Sequence, residues 1–228
     1  MDIKVIAFDA DDTLWVNEPY FRKTEEAFFE LMSDYLQQRS LERELMKIEI
    51  GNLPLYGYGV KGFILSMIEA ALKVSDKTIS IEVVDRILQL GKSMLDEPIE
   101  LLEGVEEVLK TLKGQYRLVV ATKGDLLDQE RKLRKSNLGH YFHHIEIMSE
   151  KDEANYQKLL RHLDIHPHEL LMVGNSLKSD VLPVLNIGGH AIHVPYHITW
   201  EHEMIENNIE HENFKMVNTI SEILPLLA

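Results

Sequence analysis

The residues best equipped for chemistry are Asp9 and Asp11. They stand in Phe8-Asp9-Ala10-Asp11-Asp12-Thr13-Leu14, directly after the apolar run Val5-Ile6-Ala7. Carboxylates at the end of a buried strand lie where open α/β sheets place their ligands. One can attack an electrophile while the other handles a proton. With Mg²⁺ added, the pair suggests phosphoryl transfer through an aspartyl-phosphate. The same residues also suit an acidic turn, because Asp is common in turns.

Three later motifs also follow apolar runs. Thr122-Lys123-Gly124-Asp125 offers a hydroxyl and backbone amides that suit phosphate oxygens. Lys151, in Ser149-Glu150-Lys151-Asp152, would neutralise phosphate and keep a nucleophile ionised. Gly174-Asn175-Ser176-Leu177-Lys178-Ser179-Asp180 carries oxygens of the kind that Mg²⁺ prefers. Taken singly, these read as a helix N-cap, a solvated lysine, a turn and a surface acid. Taken together, nucleophile, hydroxyl, cation and metal ligand occur in one order, each at the same edge of one sheet. Whichever carboxylate handles the proton must carry it when it donates to a leaving oxygen. Nearby anions and burial are expected to raise its pKa for that purpose.

These groups need a frame. Short Val- and Ile-rich runs at 5–8, 118–121, 144–148, 170–173 and 191–194 lack alternation, as strands buried on both faces do; 216–217 is a weaker sixth. Helical spacing recurs at 105–112, 126–135 and 155–163. The alternation predicts an α/β fold with a doubly wound, mainly parallel sheet. Residues 16–95 hold no convincing strand. Helices are expected there at 19–36, 41–50, 61–73 and 81–95, with the turn-rich stretch 51–59 between the second and third. The expected division is a catalytic core of residues 1–15 and 96–228 with an inserted helical cap at 16–95. Within the cap, Tyr56 could stack on a leaving group and Lys61 could bind a second anion, the surrounding glycines allowing close approach. A simple helix-to-helix turn explains the same residues. His190 and His193 would face opposite sides of a strand, which argues against a zinc site.

The 228 residues are 45% hydrophobic and 27% charged, with a net charge of −14. That charge makes nucleic acid a poor partner. Without cysteine there is neither a disulfide nor a thiolate nucleophile. The N-terminus shows no apolar leader, and no run approaches the roughly 20 apolar residues that span a bilayer. A soluble, cytoplasmic protein is expected; the oligomeric state is left open.

The motif order resembles the haloacid dehalogenase superfamily, a group dominated by phosphatases, over nearly the whole chain. In that family the first motif reads Asp-x-Asp-x-Thr after an apolar strand. The resemblance implies a Rossmann-like core and makes the helical insertion similar to a C1-type cap. It implies Asp9 as nucleophile and Asp11 as general acid/base. Thr122 and Lys151 match the second and third motifs, with Lys158 a competitor for the third. Asn175 and Asp180 fill the fourth, so that Asp9, Asp11, Asn175 and Asp180 become the Mg²⁺ set. Lys123 and Gly124 join Thr122, Tyr56 and Lys61 as substrate contacts. The chain departs from the family at Asn175, where an acid is usual, and at Lys123, where Asn is frequent. The leading expectation is an Mg²⁺-dependent phosphatase of a small phosphorylated metabolite. Alternatives are a weakened phosphometabolite-binding protein, a 2-haloacid dehalogenase, which needs neither Asp11 nor Mg²⁺, and a phosphomutase.

Overall fold

The structure, a computed structural model, describes residues 2–205 and 209–227. The chain forms two compact units: Met1–Glu18, Ile99–Lys123 and Gln129–Ala228 in one, Pro19–Pro98 and Gly124–Asp128 in the other.

The first unit is built on a six-stranded sheet: β1 (Val5–Phe8), β2 (Arg117–Lys123), β3 (His144–Met148), β4 (Leu170–Gly174), β5 (His190–His193) and β6 (Phe214–Met216). The strand order is β3-β2-β1-β4-β5-β6 and every pairing is parallel. This is the doubly wound, Rossmann-like order, with its switch point beside β1. Alternate residues feed two cores. Ile6, Phe8, Leu118, Val120, Leu171 and Val173 pack with Val105, Val108, Leu109 and Leu112 on one side. Val5, Ala7, Val119, Ala121 and Met172 pack with Tyr156, Leu159 and Leu163 on the other. Burial on both faces is why these strands read as unbroken apolar runs.

The helices, in chain order, are α1 (Glu18–Leu31), α2 (Gln38–Tyr56), α3 (Val60–Val74), α4 (Ile81–Asp96), α5 (Val105–Leu112), α6 (Leu126–Ser136), α7 (Glu153–Leu163), α8 (Leu182–Asn186) and α9 (Leu224–Leu227). Helix α5 buries Val105, Val108, Leu109 and Leu112, the i, i+3, i+4, i+7 stripe that predicts it.

The second unit is helical and encloses its own core of Phe28, Met32, Leu41, Leu45, Phe63, Met67, Ala70 and Ile87. Helix α1 stops short of its expected end. Beyond Met32 the bonds tighten to Ser33 N–H on Glu30 and Tyr35 N–H on Met32, where Ser33 and Asp34 favour a turn. The expected turn over 51–59 is mostly helix, since α2 runs to Tyr56 with Pro54 inside it. Tertiary contacts override the local signal there. The Asn52 side-chain amide donates to Ser66 Oγ at 3.1 Å and to Glu69 at 2.9 Å, tying the last turns of α2 to α3. Helices α3 and α4 meet at Gly91, where a Cβ would stand 2.4 Å from Ile64 Cγ1.

Candidate active site

Strand β1 ends at Phe8, level with Val120 on β2 and Val173 on β4. Asp9 continues the ladder by one bond, its N–H donating to the Val173 carbonyl at 2.9 Å. The chain then turns sharply. Asp12 takes a left-handed conformation, φ +60°, which Asp tolerates better than most residues. Leu14 N–H returns to the Ala10 carbonyl at 2.8 Å and Asp12 N–H to the Trp15 carbonyl at 2.7 Å. The Asp12 carboxylate accepts from the Asn17 and Glu18 amides at 2.8 and 2.9 Å, serving the start of α1. Burial pushes the Asp12 carboxyl up to about 8, against the pull of those amides.

Asp9 and Lys151 form the centre of the site. The Lys151 ammonium donates to Asp9 Oδ1, and to Asp180 Oδ1 at 2.6 Å. All three side chains are buried. Burial raises the Asp9 carboxyl to about 7 even though Lys151 pulls it down. Burial would lower the Lys151 ammonium, but Asp180 and Asp9 more than reverse this and it stays charged. Lys151 owes its place to the turn before α7: Asp152 caps that helix through the Asn155 amide at 2.8 Å, and Asn155 Nδ2 holds the Glu150 carbonyl at 2.9 Å. Lys158, the competitor, is exposed and donates to Asn155 Oδ1. Asp180 lies in a single π-helical turn, Leu177–Val181. Its Oδ2 accepts from the Ser176 N–H at 2.9 Å. It can tuck in only because residue 174 is glycine; a Cβ there would meet Asp180 Oδ2 at 2.2 Å.

Thr13 Oγ1 lies 3.2 Å from Asp9 Oδ2 and 3.4 Å from Asn175 Oδ1. One hydroxyl proton cannot serve both, so one of these oxygens is left without that donor. Hard oxygen donors facing each other beside a second carboxylate suit Mg²⁺. Asp9, Asn175 and Asp180 therefore fit the ion by their chemistry. Asp11 does not complete a carboxylate trio: among the described residues, Asp9, Asp11 and Asp180 do not all bring an oxygen within 4.8 Å of one another.

Asp11 instead has its own set of donors. Its Oδ1 accepts from Trp15 Nε1 at 2.7 Å and Lys132 Nζ at 2.9 Å, and its Oδ2 from Gln129 Nε2 at 2.8 Å. Burial pushes the Asp11 carboxyl up, but Lys132, Gln129 and Trp15 together carry it below the usual carboxylate value. The expectation of a raised pKa is thus reversed in this conformation. The rise expected from burial and neighbouring anions is outweighed by a lysine and two neutral donors that the first motif does not reveal.

The remaining expected contacts divide between the two units. Thr122 is buried, its hydroxyl 3.4 Å from the Lys123 carbonyl oxygen. The Lys123 ammonium binds Glu203 at 2.5 Å and Ser179 Oγ at 2.8 Å. Gly124, at φ +139°, belongs with Asp125 to the helical unit. In that unit Lys61 pairs with Asp125 at 2.9 Å. Tyr56 closes α2 and is half exposed.

Several residues here escaped sequence reasoning. Gln129 and Lys132 are one helical turn apart on α6, a spacing that could have marked a shared target. His193, buried on β5, contacts the Asn175 carbonyl through Nε2 at 2.9 Å, beside Gly174 in register. Glu203 had no motif to announce it, while Ser179 stood inside the fourth motif with no role of its own assigned.

An open parallel sheet with a buried carboxylate, lysine and oxygen-donor cluster at its carboxyl edge defines an α/β enzyme of the hydrolase kind. The chain belongs to the haloacid dehalogenase-like hydrolase family, whose family model matches residues 3–188. A glyceraldehyde 3-phosphate phosphatase of Methanothermobacter thermautotrophicus is 27% identical over 90% of this chain and 92% of that protein. A rat N-acylneuraminate-9-phosphatase is 31% identical over 43% of the chain and 42% of its own length. A solved haloacid dehalogenase-like hydrolase from Xanthomonas campestris is 36% identical, covers 99% of this chain and 90% of its own, and has a TM-score of 0.89. Among the described residues no helix is long and apolar enough to cross a membrane.

Proposed function

We propose that this hydrolase is an Mg²⁺-dependent phosphatase that cleaves a small phosphorylated metabolite through an aspartyl-phosphate on Asp9. The observation that carries the reading is the Asp9–Lys151–Asp180 cluster at the end of β1, with Thr13 and Asn175 on the other oxygen of Asp9. Two phosphatase relatives support the reaction class.

Asp9 attacks phosphorus with its ionised oxygen, a form that Lys151 favours against the effect of burial. Lys151 also offsets the negative charge that gathers when a phosphate dianion meets two carboxylates. Thr122, whose hydroxyl is lightly engaged, and the Gly124 amide orient the phosphoryl oxygens. Asp11 acts as general acid/base: freed from its three donors it takes up a proton from solvent, gives it to the leaving oxygen as the phosphorus–oxygen bond breaks, then takes a proton from the water that hydrolyses the acyl-phosphate. Asp9, Asn175 and Asp180 would hold Mg²⁺, which supplies charge neutralisation on the transferring phosphoryl group. In the same reading the helical unit is a cap, and Tyr56 and Lys61 read the leaving group. The presence of Asp11, which attack on a halogenated carbon does not need, favours phosphoryl transfer.

The test is turnover of p-nitrophenyl phosphate with Mg²⁺, with EDTA, and in Asp9→Asn. Activity is expected only in the Mg²⁺-loaded wild type, and the variant is expected to be folded but inactive because an amide forms no acyl-phosphate. Wild-type turnover by folded Asp9→Asn would falsify the nucleophile assignment, and full activity in metal-free buffer would remove the Mg²⁺ requirement.

A further inference from the structure

Glu203 lies in the 3-10 turn Glu201–Glu203, on the connection between β5 and β6. It falls beyond the residues that the family model matches. Its side chain is 11% exposed, and three donors converge on its carboxylate. Lys123 Nζ stands 2.5 Å from Oε1, while Ser176 Oγ and Ser179 Oγ stand 2.5 and 2.6 Å from Oε2. Burial would push this carboxyl up, but Lys123 and the two hydroxyls hold it down at about 2.

An ionised carboxylate only accepts, so the direction of each bond follows. Both serines give their single hydroxyl proton to Glu203. Their lone pairs then accept: Ser179 Oγ from Lys123 Nζ at 2.8 Å, and Ser176 Oγ from Ser179 N–H at 3.0 Å. Ser176 N–H in turn holds Asp180 Oδ2 at 2.9 Å. The serines thus brace the π turn Leu177–Val181 that presents Asp180 to Lys151. Such turns have weaker local support than α-helix and are frequent at functional sites. Within the same unit the Tyr156 hydroxyl holds the Ser179 carbonyl at 3.1 Å. Glu150, a second carboxylate near Lys123, is 3.8 Å away.

We propose that Glu203 is a positioning residue for the phosphatase site, pinning the Asp180 turn through Ser176 and Ser179 while neutralising Lys123 next to Thr122. It touches neither Asp9 nor Lys151 and acts through the turn. The claim that this matters for catalysis rests on the function proposed above; the claim that it holds the turn does not.

The experiment uses the full chain as wild type, Glu203→Gln and Ser179→Ala. The Gln variant keeps the volume and removes the charge; the Ala variant removes one brace and serves if the first fails to fold. Amide hydrogen exchange is read over residues 177–181 without Mg²⁺, with β1 as internal control. Loss of one charge-assisted hydrogen bond is expected to speed exchange in the turn by roughly 10- to 100-fold, with β1 unchanged. In parallel, kcat for p-nitrophenyl phosphate with saturating Mg²⁺ is expected to fall roughly tenfold with KM within about twofold. Unchanged exchange in the turn overturns the proposal. Faster exchange with wild-type kcat overturns the positioning role and leaves a structural brace. If the wild type itself shows no turnover, the phosphatase reading fails, and the exchange data alone decide whether Glu203 pins the turn.

Discussion

Replacing Lys151 by Met should unmask the cost of the buried charges around it. The ammonium, 2% exposed, bridges Asp9 and Asp180, whose side chains are 9% and 1% exposed. Methionine keeps most of the volume and removes the cation, so two neighbouring carboxylates remain without it in a low-dielectric site. Breaking a buried ion pair from one side costs about 3–5 kcal/mol. At about 2–4 °C per kcal/mol for a domain of this size, the melting temperature should drop by roughly 6–20 °C. The pH dependence has a definite sign. Asp9 already has its folded-state carboxyl raised to about 7 with Lys151 present. Without Lys151 it rises further, and the native state then binds more protons than the unfolded chain above the unfolded value of about 3.9. Stability of the variant therefore falls as pH rises through that window. The deficit against wild type should be largest near pH 8 and shrink toward pH 5, as protonation of Asp9 removes the repulsion. Thermal melts followed by circular dichroism in metal-free buffer across that range measure it. A melting temperature within about 2 °C of wild type at pH 8, or a deficit that grows on acidification, would refute the reasoning.

Two further outcomes follow from single contacts. Asn175→Asp adds a charge beside Asp9, facing Thr13; the half-saturating Mg²⁺ concentration for turnover should fall, and an unchanged value would place Asn175 outside the ion's reach. Gly91→Ala puts a Cβ 2.4 Å from Ile64 Cγ1 in the helical unit. Overpacking costs about 1–3 kcal/mol, more than the gain in helix propensity of about 1 kcal/mol. Calorimetry should show a lower melting temperature, and a higher one would mean that Ile64 has room to turn aside.

Much of the frame was legible locally. Strands β1 and β3 and helix α5 coincide with their expected ranges, because each is specified by side chains adjacent along its own segment. The unbroken apolar run of β1 announces a strand covered on both faces, and a four-residue apolar stripe announces a helix laid against it. The weak points were also local in origin. The stretch 51–59 reads as turn by composition, yet residues 51–56 are helical, with Asn52 anchored by Ser66 and Glu69 from the next helix. Helix α1 ends at Leu31, short of the expected 36, because Ser33 and Asp34 compete for backbone bonds.

By itself, the sequence determined that Asp9 follows a buried strand, that Thr122, Lys151 and Asn175 follow others, and that a helical stretch interrupts them. Those are statements about neighbours along the chain, and short-range sterics and apolar periodicity suffice for them. Only the tertiary structure decided what each side chain faces. It set the strand order that brings β1 between β2 and β4. It put Lys151 rather than Lys158 against Asp9, across 142 positions of sequence. It turned Asp11 toward Gln129 and Lys132, and so depressed a carboxyl that sequence reasoning expected to be raised. It brought Glu203 onto Lys123, Ser176 and Ser179, though no motif contains it. A charge's environment depends on groups that packing brings within a few ångströms, and two lysines of equal chemistry differ only in which of them the packed chain carries there.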